Sequence, residues 1–303
     1  MEQDVFNTDR PLLFSIAYRM LGSASDAEDV LQDGWLRYRG ADTSAVRSPT
    51  AFATTIVTRL CIDRLKSARV TREQYVGQWL PEPVLTSEVA GPDTTLQRAE
   101  SVTMAFLVLL ETLSPEERAV FLLKEIVDYD HAEIAGILGI TPEASRQLHH
   151  RAKARIAAGR RRVTGTSLEH RAAAERFAQA LVSGDASALT TLLAGDVELW
   201  TDGGGKVSAA RRPIVGRDAV VSFLTGIRRK AIDAGVIRDV LMKIESVNFE
   251  PALVVRAGDR LESLFVFETD GEVISGIRVV RNPDKLARIN RQLSATRNRT
   301  DSA

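Results

Sequence analysis

Between Ser114 and Ile156 the chain is punctuated so closely that few local architectures satisfy it. Ser114-Pro115-Glu116-Glu117 is a helix start: a capping hydroxyl, a proline where no amide hydrogen is needed, and acids at the positive end of the helix dipole. Asp130 caps a short apolar helix, HAEIAGIL, which Gly139 ends; Thr141 then caps a third helix that Pro142 opens and that runs through Ile156. A capped helix, a glycine turn and a second capped helix form helix–turn–helix grammar. On the last helix Ala144, Leu148, Ala152 and Ile156 make the apolar stripe. Roughly opposite lie Pro142, Glu143, Arg146, His150 and Lys153, with Ser145 and His149 on the flank. Arg151, Arg155 and the run Arg160-Arg161-Arg162 add positive charge. A basic helix carried on a tight turn fits a DNA major groove, where arginine can bond a guanine edge and lysine or histidine a phosphate. A basic helix alone would read as an ordinary solvated bundle helix; the caps and the turn together favour DNA. Neighbouring histidines on a helix point about 100° apart, so His149-His150 is a poor chelate and no metal site is expected.

The segment before this is helical as well. Leu13, Ile16, Ala17, Met20 and Leu21 follow helical spacing, Gly22 ends that helix, and Ser23 or Ser25 caps the next. SDAEDVLQDGWLRY then buries Ala27, Val30, Leu31, Trp35 and Tyr38 and turns Asp26, Asp29, Gln32 and Asp33 outward. Carboxylates repel phosphates, so this face suits solvent or a basic protein partner. A long helix, TAFATTIVTRLCIDRLKSAR, carries Arg59, Asp63, Arg64, Lys66 and Arg69 and is a second DNA-facing candidate.

From Glu73 to Asp93 the pattern breaks at Pro81, Pro83, Gly91 and Pro92, and the stretch reads as a linker. It nevertheless contains WLPEPV, Trp79 to Val84, and large apolar groups in a linker dock on something: either plain packing against a neighbouring domain or a regulatory contact. After Gly165 two helices precede DVELWTD, which alternates like a strand. Gly216–Ala231 reads as a helix, and strands are expected around 240–244, 252–255, 264–267 and 273–280, with Asp270-Gly271 as a hairpin turn. Helices followed by an antiparallel sheet define an α+β domain. The expected divisions are 1–75, a linker at 76–95, 96–163 and 164–303, the last ending in a flexible basic tail with Arg288, Arg291, Arg297 and Arg299.

Bulk properties narrow the setting. Lys+Arg and Asp+Glu both number 40, so any nucleic-acid partner must be met by local patches rather than by net charge. The single cysteine, Cys61, excludes an internal disulfide, and no apolar run is long enough to span a bilayer. The N-terminal MEQDVFNTDRP has no basic-then-apolar pattern. A cytoplasmic protein with no membrane partner is expected.

These residues resemble a family. AYRMLGSASDAEDVLQDGWLR followed by IVTRLCIDRLKSAR resembles the second conserved region of bacterial sigma factors of the extracytoplasmic-function type, and LSPEERAVFLLKEIVDYDHAEIAGILGITPEASRQLHHRAKARI resembles their fourth. The C-terminal half resembles a cone-shaped α+β domain of the NTF2 type, SnoaL-like, which one subgroup carries with WLPEP, DGGGK and NPDKL motifs; here these stand at Trp79–Pro83, Asp202–Lys206 and Asn282–Leu286. The resemblance implies a multidomain chain of two all-α domains plus that α+β domain. It implies core RNA polymerase and promoter DNA as partners. Asp26, Asp29, Gln32 and Asp33 would bind the β′ clamp helices, and the fourth region the β flap. Arg59, Asp63, Arg64, Lys66 and Arg69 would handle the −10 element; Ser145, Arg146, His149, His150 and Lys153 the −35 element. Relatives often carry asparagine where this chain has Thr58, which bears on −10 preference. The C-terminal domain would regulate in cis through Trp79, Leu80, Pro81, Asp202, Gly203, Gly204, Gly205, Lys206, Asn282, Pro283, Asp284 and Lys285.

Two chemical readings of the C-terminal half compete with regulation. Catalysis would need a positioned base, yet none of the four histidines falls beyond Leu193, leaving Asp196, Glu198, Asp202, Glu245, Glu262 and Glu268 as candidates. No catalytic residue and no cofactor are expected, while an unidentified small ligand of this domain stays open. The glycine run WTDGGGK looks like a phosphate loop, but a Walker motif needs glycine where Trp200 stands and Ser or Thr where Val207 stands. A docking loop near WLPEP or NPDKL is expected instead.

Overall fold

The computed structural model describes residues 5–44, 46–73, 75–89, 102–159, 167–233, 235 and 240–300. The chain forms two compact units, Met1–Gln74 with Val89–Arg160 and Tyr75–Glu88 with Arg161–Ala303. The expected 76–95 linker is therefore not a free connector: its first part belongs to the C-terminal unit. The arginine run at 160–162 and the boundary at 163–164 lie outside the described residues.

The first unit is helical. It comprises α1 (Val5–Thr8), α2 (Arg10–Leu21), α3 (Ala24–Arg39), α4 (Pro49–Glu73), then α6 (Met104–Leu110), α7 (Pro115–Glu125), α8 (His131–Leu138) and α9 (Pro142–Gly159), while α5 (Thr86–Val89) follows the docked linker. Gly22 ends α2 with φ 65, and Ser23, not Ser25, caps α3 by accepting from the Asp26 amide. Ser114 with Glu117 and Asp130 with Glu133 form reciprocal capping boxes at α7 and α8. Gly139 takes φ 68, the left-handed conformation that closes α8 against the turn. Val120, Leu123, Ile134 and Ile137 pack beneath α9, so the helix–turn–helix rests on one small apolar cluster. Along α2 and α3, Leu13, Ile16, Ala17, Ala27 and Val30 are buried as their spacing requires.

The second unit is α+β. Helices α10 (Ser167–Ser183), α11 (Ala186–Leu192) and α12 (Arg217–Asp233) accompany β1 (Leu193–Asp202), β2 (Ile214–Val215), β3 (Val240–Val247), β4 (Glu250–Ala257), β5 (Arg260–Asp270) and β6 (Val273–Val280), and α13 (Pro283–Thr300) closes the chain. The sheet runs β2-β1-β6-β5-β4-β3. It is mixed rather than wholly antiparallel, because β1 pairs parallel to β6. That pairing joins the first long strand to the last, and α12 lies in the chain between β2 at one edge of the sheet and β3 at the other. Alternate residues of β1, β4, β5 and β6 build the core: Val197, Leu199, Leu253, Val255, Phe265, Phe267, Ile277 and Val279 meet Phe177 of α10 and Val220 and Leu224 of α12. Phe177 lies 4.9 Å from the Phe267 ring centroid. The C-terminal stretch, expected to be a flexible tail, is helix through Thr300. Leu286 and Ile289 stand one turn apart and are buried, which anchors that helix.

Candidate functional site

Three groups of side chains are the candidates. The first is α9. Arg146, Gln147, His150 and Arg151 are exposed on one stripe of its N-terminal half. Ser145 is fully buried and bonds His131 Nδ1 at 2.9 Å. His149 turns towards α7, where its Nε2 lies 2.7 Å from Glu125 Oε1, and Lys153 reaches the same carboxylate at 3.4 Å. Of the five residues expected to read DNA here, Arg146 and His150 face outward. Lys153 is exposed but paired, and Ser145 and His149 brace the helix from within. Gln147 was missed by sequence reasoning: it lies one helical turn from His150 and is exposed. Burial, with repulsion from His149, Lys124 and Arg146, holds His131 below the ordinary imidazole value.

The second group lies on α3 and α4. Asp29, Gln32 and Asp33 are exposed, and a groove of about 420 Å³ beside them is lined in part by Phe6, Leu31 and Trp35. Arg64 of α4 reaches across to α3 and bonds both Asp26 and, at 3.0 Å, Asp29. Arg59 donates to the Ile137 carbonyl at the end of α8, and Lys66 pairs with Glu116 at 2.8 Å. Asp63 is exposed, and the Arg69 side chain lies outside the described residues. Arg118, almost wholly buried, ties the same unit together by donating to the Met20 carbonyl and to Glu111. Thr58 is fully buried and its hydroxyl has no bonding partner among the described residues.

The third group joins the glycine run to the linker. Asp202 ends β1 with no exposed surface. Its carboxylate accepts from the Tyr75 hydroxyl at 2.5 Å, the Leu80 amide at 2.9 Å, the Gly204 amide at 3.0 Å and Lys285 Nζ at 2.7 Å. Lys285 also donates to the Leu80 carbonyl, and its ammonium sits 4.2 Å from the Trp79 ring centroid and 5.1 Å from that of Tyr75. Asn282 donates to the Tyr75 hydroxyl and accepts from the Asp284 amide, so it fixes the start of α13 while holding the linker. Lys206 pairs with Asp284 at 2.5 Å. Gly204 has φ 62, and a Cβ there would overlap the Asn282 amide, which explains a glycine without any phosphate. Burial and the bond to Asp202 raise the Tyr75 phenol well above its usual value, so it remains a proton donor.

The linker is held a second time at the β3–β4 turn. Val84 donates to Asn248 Oδ1 and accepts from the Asn248 amide, Thr86 bonds Ser246 and the Phe249 amide, and Leu85 bridges to Val247. Leu80 and Val84 are buried between these anchors. Tyr75, Asn248 and Thr86 were not among the residues singled out from sequence. Asn248 and Phe249 both take positive φ, 52 and 63, and an Asn-Phe turn carries little sequence signal for that.

Three further carboxylates weighed for catalysis have other partners. Glu268 forms a buried ion pair with Arg278, whose guanidinium lies over Trp200. Glu245 pairs with Lys243 and Glu262 with Arg260.

A chain with a helix–turn–helix, a basic helix beside an acidic one and this order of segments is built as an RNA polymerase sigma factor. The Sigma-70 region 2 family matches residues 5–71 and the Sigma-70, region 4 family residues 103–156. The ECF RNA polymerase sigma factor SigJ of Mycobacterium tuberculosis is 38% identical over 229 residues, 75% of this chain and 73% of the relative. A probable ECF sigma factor, SigI, of the same species is 28% identical over 269 residues, 80% of this chain and 92% of the relative. The crystal structure of M. tuberculosis SigJ superposes with a TM-score of 0.72 at 31% identity, covering 93% of this chain and 97% of that one. The chain belongs to the ECF RNA polymerase sigma factors, with a SnoaL-like C-terminal domain, and directs transcription initiation. Among the described residues no helix is long and apolar enough to cross a membrane.

Proposed function

We propose that this sigma factor reads promoters with α9 and α4, binds polymerase through α3, and is regulated in cis by a C-terminal unit that captures the connector between its two conserved regions. On α9 the readers are Arg146, Gln147 and His150, all exposed, with Arg146 leaving its surface pair with Glu143 to enter a major groove. On α3 the exposed Asp29, Gln32 and Asp33 suit the basic clamp of the polymerase β′ subunit. The partner of region 4 is the β flap, and the setting is the cytoplasm.

The observation that carries the regulatory reading is the buried Asp202 carboxylate, which accepts from both Tyr75 and Leu80 of the connector. In sequence the captured residues begin at Tyr75, two positions after the end of α4 at Glu73. Within the first unit Arg59, Lys66 and Arg118 bridge α4 to α8, α4 to α7 and α7 to α2. Promoter elements about 25 base pairs apart lie roughly 80 Å apart on B-DNA, so reading both exchanges these internal contacts for DNA.

Reconstituted transcription with core polymerase tests the reading. Asp202→Ala should change transcript yield while the −10 and −35 sequences selected from a random promoter pool stay the same. An unchanged yield, or altered element sequences, would sink regulation by capture. Failure of the wild-type chain to support initiation at any promoter would remove the promoter-reading assignments.

A further inference from the structure

We propose that Arg64 is a relay between the polymerase-binding and promoter-binding faces of region 2, so that capture of α3 by polymerase releases a cation for promoter phosphate. The inference rests on the reading of α3 as the polymerase face and α4 as the −10 face. Treated separately, those faces assign Asp26 and Asp29 to one partner and Arg64 to another. The structure joins them: one guanidinium nitrogen of Arg64 bonds Asp26 and, at 3.0 Å, Asp29. In the free chain the cation is therefore neutralised by the carboxylates that polymerase would take.

The other described cations of the −10 set are held differently. Arg59 is bonded to the Ile137 carbonyl and Lys66 to Glu116, and neither reaches a carboxylate of the polymerase set. Arg64 alone among the described −10 residues links the two sets. Its side chain is 37% exposed, with Asp26 at 40% and Asp29 at 60%. Groups this wet exchange partners at small cost, because water screens the pair and re-solvates whichever member is released. Basic groups of a polymerase clamp that engage Asp29 and Asp26 compete directly with Arg64. The freed guanidinium can then fork onto a phosphate in a charge-assisted bond. Linkage makes the effect reciprocal: DNA that occupies Arg64 exposes the two carboxylates and strengthens polymerase binding. The device also weakens promoter binding by the chain before it has found polymerase.

A double-mutant cycle on the full-length chain tests the relay. The probe is a fluorescent forked DNA duplex of random sequence at fixed salt, without polymerase, since a phosphate contact is independent of sequence. The Asp26→Asn/Asp29→Asn variant should bind this DNA roughly three- to tenfold more tightly than the wild type. In an Arg64→Gln background the same pair of changes should give a clearly smaller gain, the residue of general charge repulsion. Arg64→Lys keeps the charge but lacks the forked group, and should show coupling between the two extremes. It also guards against a misfolded Arg64→Gln chain. Equal gains in all three backgrounds, or no gain in any, overturn the relay. A separate arm measures binding to core RNA polymerase, which the Asp26→Asn/Asp29→Asn variant should weaken about tenfold. If it does not, the polymerase reading of α3 fails, and the relay falls for that distinct reason.

Discussion

Lys285 shows how much can rest on one side chain. Its ammonium is 11% exposed and faces a carboxylate with no exposure at all. A buried pair of this kind adds little net stability over an apolar replacement, but removing one partner strands the other, which costs about 3–5 kcal/mol. Lys285→Met should therefore lower the unfolding free energy of the C-terminal unit by roughly that amount, measured by denaturant titration with Trp fluorescence. Adding Asp202→Asn to the same chain should restore much of the loss; a double variant as unstable as the single one would mean that the aromatic contacts dominate instead. His131 gives a second prediction at this scale. Its folded value lies below the ordinary imidazole value of 6.5 because of burial and neighbouring positive charge. A base with a depressed folded value is stable in its neutral form above the unfolded value, and loses stability as pH falls through the folded one. Melting between pH 7 and 5 should therefore fall for the wild-type helix–turn–helix, and fall less for His131→Gln, whose amide still reaches Ser145.

At the scale of elements, α9 separates what periodicity reveals from what it hides. The apolar stripe of Ala152 and Ile156 and the capped start were legible, because a 3.6-residue repeat fixes which side faces the core. The flank was not. Ser145 stands next to Arg146 in sequence, yet one is buried on His131 and the other exposed. That division is set by α8 and α7, which a helical repeat does not contain. The exposed stripe instead brings in Gln147, whose amide can bond adenine in bidentate fashion. Gln147→Ala should cost about 1–3 kcal/mol at one −35 base pair and relax preference there, read by selection from a pool randomised over that element. A uniform loss across all sequences would assign Gln147 to phosphate instead. Strand existence was equally legible, whereas the parallel pairing of β1 with β6 was not. The pairing joins residues some 80 positions apart, such as Leu199 and Ile277, and no local pattern specifies it. The Asp202–Lys206 loop meets WLPEP and NPDKL, as its glycines and charges led one to expect. Tyr75 and the Asn248 turn complete the same seam from positions without a motif.

For the whole molecule, the consequence of linker capture is a matter of reach. Regions 2 and 4 are joined by the chain from Gln74 to Val102, which fully extended spans roughly 100 Å. With Tyr75 to Thr86 held against Asp202 and the Asn248 turn, the stretch from Glu88 to Val102 is what remains, and it spans roughly 50 Å. The docked part contributes a fixed displacement in place of a flexible one. A sigma factor with its connector captured should therefore accept a narrow range of separations between the −10 and −35 elements. Releasing the connector should lengthen the tether and widen the range, while the promoter sequences selected stay the same. The variant for this test is Tyr75→Phe with Asn248→Ala, which removes the Tyr75 hydroxyl's bonds to Asp202 and Asn282 and the Val84 amide's bond to the Asn248 side chain without stranding the Asp202–Lys285 pair. Transcription from a promoter series with spacers changed one base pair at a time should give a sharp optimum for the wild type. The variant should give a broader profile centred on the same spacer. A profile that keeps its width while its height changes would show that capture controls how much polymerase is engaged, and not the distance that the two regions can span.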